Sequence, residues 1–73
     1  MRGLKPNFKL NYYLSKKIYV QVLPSRRISG ILRGFDQFLN LVLENGCLIE
    51  ETRKTFLGTV LVRGNMIISI GNY

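Results

Sequence analysis

The stretch from Ser29 to Leu43 leaves the chain little choice but a hairpin. Two apolar, strand-forming runs flank a short polar segment, Asp36-Gln37-Phe38-Leu39-Asn40. In extended chain, alternate residues share a face, so Asp36, Phe38 and Asn40 are expected to project together from the turn. An acid, an aromatic ring and an amide on one side make a stacking face beside a donor and an acceptor. The run from Arg27 to Phe35 is also interrupted by Gly30 and Gly34. Glycines inside a strand mark bulges or sharp bends, and two of them suggest a strand that serves two sides of a barrel.

The rest of the chain repeats the theme of short strands. Ile18 to Leu23 alternates, with Ile18, Val20 and Val22 on one face and Tyr19 and Gln21 on the other. Pro24-Ser25-Arg26 is a turn. Leu39 to Leu48, Phe56 to Val62 and Met66 to Ile70 read as the third, fourth and fifth strands. The polar segment from Ile49 to Thr55 is a loop or hairpin end. Gly64-Asn65 forms a second polar turn, with a glycine able to take positive φ. Before the strands, Pro6 to Leu14 carries Leu10, Tyr13 and Leu14 at helical spacing, and Pro6 suits a first helical position. The expected architecture is a single domain over residues 1–73. It is all-β, a short helix at about 6–14 followed by a strongly bent five-stranded small barrel within about 17–70.

Composition narrows the function. Seventy-three residues suffice for one small core, and 47% hydrophobic residues suit a folded domain rather than a disordered one. Eleven basic residues against four acidic ones give a net charge of +7, which attracts polyanions: RNA, DNA or an acidic membrane surface. There is no histidine, and Cys47 is the single cysteine. The commonest general base and the commonest metal ligands are therefore missing, as are paired carboxylates. The expectation is a non-enzyme with no metal and no cofactor. No apolar run approaches the ~18 residues of a membrane helix, and the N-terminus lacks the pattern of a secretory leader. An intracellular, reducing setting is expected.

The last two strands carry a different message. Thr59-Val60-Leu61-Val62 and Met66-Ile67-Ile68-Ser69-Ile70 are apolar on both faces and lack the charges or prolines that blunt an exposed sheet edge. Pairing with another chain is the expected remedy. Val60, Val62, Ile67, Ile68 and Ile70 are the candidate interface residues.

The two polar turns resemble the paired motifs of the Sm and Sm-like RNA-binding proteins. Gly30, Leu32, Asp36, Asn40, Leu41 and Leu43 match the first motif. Val62-Arg63-Gly64-Asn65 followed by Ile67 and Ile68 matches the second, and the resemblance runs from about Leu10 to Ile70. It implies a ring, usually of seven subunits, joined by pairing of fourth and fifth strands. It also implies that the inner wall binds uridine-rich single-stranded RNA, about one base per subunit. The implied partners are such an RNA and other Sm proteins, with a place in the small nuclear ribonucleoproteins of pre-mRNA splicing and a nuclear and cytoplasmic location.

Within that frame each residue has an expected role. Phe38 stacks on a base, and Asn40 reads the base edge. Arg63 stacks from the other side or meets phosphate. Asn65 bonds the base edge or holds the turn. Asp36 orients the Asn40 amide, and Gly64 supports the second turn. Two rival expectations remain: a subunit of an Sm-like ring acting in mRNA decay or RNA 3′-end binding, and an interaction barrel that binds no RNA.

Overall fold

The computed structural model describes residues 10–73, so the part of the expected helix at residues 6–9 lies outside the described residues. The described chain begins with a 3-10 turn, Leu10–Tyr13, and continues through five strands. These are β1 (Lys17–Leu23), β2 (Arg26–Phe35), β3 (Leu41–Ile49), β4 (Lys54–Val62) and β5 (Ser69–Asn72). The described part of the helix is therefore a single tighter turn. Leu10 nonetheless plugs the core at 2% exposure, with Tyr13 packed beside it.

The strands form one antiparallel sheet in the order β4-β3-β2-β1-β5. Alternation in β1 matches the sequence pattern: Ile18 and Val20 are fully buried, and Tyr19 and Gln21 are half-buried on the other face. Ile18, Val20, Leu32, Leu41, Leu43, Val62 and Ile67 join Leu10 in one core inside the curl of the sheet.

The curl has a local cause. The β2–β3 register slips between Ser29 and Ile31 and again between Leu32 and Gly34, and β3–β4 slips on both sides of Gly46. Such bulges bend a strand and increase its twist. At the bend the backbones crowd. A Cβ on Gly30 would lie 3.0 Å from Leu43 Cβ, and one on Gly46 would lie 2.9 Å from the Gly58 carbonyl oxygen. Gly34, also expected to bend the strand, has open space around its missing Cβ, so no neighbour requires a glycine there.

The fifth strand departs from expectation. It begins at Ser69, not Met66, because Gly64–Met66 turn in a 3-10 conformation and Ile67 then drops into the core. Ile68 rejoins the sheet first, its N–H donating to Gln21 O at 2.7 Å. β4 and β5 occupy the two ends of the sheet order, and no ladder joins them. The barrel is open along that seam.

Candidate nucleic-acid interface

The site is built where the β2–β3 loop meets the β4–β5 turn. Asp36 organises the first. Its Oδ1 accepts from the N–H of Phe38 at 2.9 Å and from the N–H of Asn40 at 3.0 Å. The backbone closes over it, with Leu39 N–H donating to Asp36 O and Asp36 N–H donating to Asn40 O. An aspartate bonding the N–H two residues on is the usual chemistry of such a turn. Leu39 is forced to φ +62°, a conformation a leucine seldom adopts. It is held there by these bonds and by its packing against the core.

Asn40 ties the two turns together. Its Nδ2 donates to Asp36 Oδ2 at 3.0 Å, and its Oδ1 accepts the Gly64 N–H at 2.8 Å. The carboxylate can only accept and the peptide N–H can only donate, so the amide has one possible orientation. One Nδ2 proton and one Oδ1 lone pair are left over. Gly64 makes the approach possible: a Cβ there would land on the Phe38 carbonyl oxygen and crowd Leu39. Glycine is required for space and not for positive φ, which corrects the sequence expectation, since Gly64 is absent from the positive-φ glycines.

The result is an open depression of about 550 Å³ lined by Gln37, Phe38, Leu39, Asn40, Arg63 and Asn65. Phe38 stands out into it, 69% exposed. Arg63 is exposed and makes no ion pair among the described residues. Asn40's amide first, then the backbone N–H groups of Asn40 and Phe38, hold the Asp36 carboxyl below its usual range. The acid is thus charged, and three of its acceptor positions are taken by Phe38 and Asn40.

The structure therefore brings together Asp36, Phe38, Asn40, Arg63, Gly64 and Asn65. They meet through turn geometry rather than through strand alternation, because residues 36–40 lie outside the strands. Alternation also hid Gln37 and Leu39, which line the same depression. The positive φ at Leu39 breaks the period, and nothing in the sequence marks a leucine for that conformation.

The candidate interface residues separate. Val62 and Ile67 are each 4% exposed and belong to the core, so their side chains offer a partner nothing. Val60 and Ile70 are half-buried, and Ile68 is 48% exposed. On β4, Phe56, Leu57 and Leu61 are all exposed, apolar positions outside that candidate set.

Comparison with known proteins places these features in company. The LSM domain family model matches residues 9–72. A probable small nuclear ribonucleoprotein G of Arabidopsis thaliana is 41% identical over 68 residues, covering 93% of this chain and 82% of that protein. The small nuclear ribonucleoprotein G of Schizosaccharomyces pombe is 45% identical over 64 residues, covering 84% and 80%. Among solved structures, a heptameric archaeal Sm protein superposes with a TM-score of 0.80 at 36% identity, covering 88% of this chain and 94% of that one.

Proposed function

This chain belongs to the LSM-domain family, and from that premise we propose that it is an RNA-binding subunit of an Sm-type ring. The ring binds uridine-rich single-stranded RNA and forms the core of a small nuclear ribonucleoprotein in pre-mRNA splicing. The chain binds and scaffolds; it does not catalyse. Its work is in the nucleus, with assembly extending to the cytoplasm.

The observation that carries this reading is the immobilised amide of Asn40. Uracil presents N3–H as a donor beside O4 as an acceptor. The spare Oδ1 lone pair suits N3–H, and the spare Nδ2 proton suits O4. Cytosine presents an acceptor at N3 and a donor at N4, the reverse pattern. To suit cytosine the amide would have to turn over, which would set its NH2 against the Gly64 N–H and its oxygen against the Asp36 carboxylate. The turned-over amide would keep neither of its two bonds and would set like against like at both ends. The exposed ring of Phe38 supplies a stacking face for any base, worth roughly 1–3 kcal/mol. Arg63, which lines the same depression and is held by no carboxylate among the described residues, is available to stack or to meet phosphate. Asn65 completes the wall.

Ring assembly is the natural use of the two open ends of the sheet. β4 and β5 each present an unpaired edge, with Phe56 and Leu61 exposed on one and Ile68 beside the other. A head-to-tail interface of this kind generates a closed ring when the rotation permits. Fluorescence anisotropy with oligo-uridine and oligo-cytidine tests the site. A clear preference for uridine that Asn40→Ala abolishes is expected, and equal binding of both oligomers by the unaltered protein would overturn the assignment.

A further inference from the structure

Away from the base depression, the outer face of β5–β1–β2 carries an ordered row of aromatic and basic side chains. Lys17 Nζ lies 3.8 Å from the centroid of the Tyr73 ring. Tyr73 lies against Tyr19, with centroids 5.0 Å apart and planes tilted by 37°. Arg27 caps the other end, its guanidinium carbon 4.6 Å from the Tyr19 centroid. Register explains the alignment. Tyr19 pairs with Gly71 on β5, and Gln21 pairs with Arg27 on β2, so Lys17, Tyr19 and Gln21 share a face with Gly71 and Arg27. Tyr73 lies two residues beyond Gly71 and so falls on the same face, against Tyr19.

The charge of this row is not spent. Arg26 and Arg53 share Glu50, and Arg33 pairs with Glu44. Lys17 and Arg27 make no ion pair among the described residues and are held instead by the rings. A cation over an aromatic face keeps its N–H groups available around its rim. The groove beside the row, lined by Tyr19, Gln21, Arg27, Ser69, Ile70 and Gly71, contains no carboxylate.

We propose that the row of Lys17, Tyr73, Tyr19 and Arg27 is a second RNA contact, which takes the phosphate backbone of the strand as it leaves the base depression. The proposal rests on the RNA-binding reading above. The two regions are joined through β1: the carbonyl oxygen of Gln21, a residue on the face of the row, accepts the Ile68 N–H at 2.7 Å, three residues after Asn65 of the depression. From there the row runs along β1 to Lys17. Single-stranded RNA fits because it offers phosphates to the two cations and planar bases to Tyr73, which lies just past the end of β5 and is 54% exposed in the single subunit. An acidic peptide would satisfy the cations and leave the exposed ring unused.

The test uses the assembled protein, a short oligo-uridine that fills only the base depressions, and a uridine oligomer several times longer. The double variant Lys17→Gln, Arg27→Gln keeps both rings and alters only exposed side chains. It is expected to bind the short oligomer as the unaltered protein does. For the long one, the slope of log affinity against log salt should fall by at least about 0.7, the release expected from one single-strand phosphate. Photocrosslinking of the unaltered protein to the long oligomer should label the peptide containing Tyr73 or Tyr19. An unchanged slope for the long oligomer, or no crosslink to either tyrosine, would overturn the second contact. So would competition by poly-glutamate as effective as by an oligo-uridine of equal charge, which would assign the row to an acidic protein segment. Failure of Phe38→Ala to weaken the short oligomer would instead strike the base site and leave the row standing.

Discussion

In the proposed site, Asn40 discriminates between bases because its neighbours deny it the freedom to turn over. That makes Asp36 and the Gly64 N–H as important to selectivity as the amide itself, though neither need touch RNA. Asp36→Ala should therefore lower the preference for uridine over cytidine while Asn40 is still present, which competition binding can measure. The same carboxylate gives a pH dependence with a definite sign. Its folded-state pKa lies below the usual value near ~3.9, because the charged form accepts hydrogen bonds from Asn40 and Phe38. The stability it contributes is complete above about pH 4 and is lost as pH falls through the depressed value. Denaturation monitored from pH 7 down to pH 5 should show no change arising from this group, with the loss confined to more acid solution. Gly64→Ala should destabilise the fold by more than the ~1 kcal/mol such a change can contribute where it fits, because the new Cβ would meet the Phe38 carbonyl. Urea unfolding would read this. At this scale the sequence was informative about identity and weaker about cause. The site residues could be named from the two turns, but Gln37 and Leu39 were hidden by a backbone angle that no residue type announces.

Among the elements, strands whose pattern alternates were legible and segments governed by tertiary demands were not. β1 keeps its alternation, and the two glycines of β2 mark its two register slips, though only Gly30 is crowded enough to require a glycine. The start of β5 was misread because Met66, Ile67 and Ile68 look like a strand in isolation. In the fold Ile67 is wanted by the core, so the chain turns first and pairs afterwards. This shift changes how the edges must be tested. The Ile68 N–H is already used within the chain, so a proline there would damage the subunit itself. Leu61 is the better probe, being 60% exposed on the edge strand β4. Leu61→Arg should leave the far-ultraviolet circular dichroism of the subunit unchanged and shift the protein from large assemblies to small species in analytical ultracentrifugation. Retention of the full assembly would exclude β4 from the contact.

For the molecule as a whole, architecture and assembly have one origin. An open sheet with unpaired ends at β4 and β5, curled around a small core, is an incomplete object. Short chains with modest cores gain stability from association, so the isolated protein at micromolar concentration should scatter light as an oligomer and not as an 8.4 kDa monomer. The five-strand count, the bend and the two polar turns were all legible in the sequence, because each depends on local pattern; that the turns meet is a tertiary contact across 24 positions. The division of the apolar edge residues into core and surface was not, because that depends on how far the sheet curls. The function proposed for this assembly depends most on one immobilised amide, and the ratio of dissociation constants for oligo-uridine and oligo-cytidine of equal length measures it. The unaltered protein should prefer uridine by about tenfold or more, the equivalent of ~1.4 kcal/mol. Asn40→Ala should bring the ratio close to one, while Phe38→Ala should weaken both oligomers and leave the ratio largely intact. A ratio near one in the unaltered protein, or a preference that survives Asn40→Ala, would refute the role assigned to that amide.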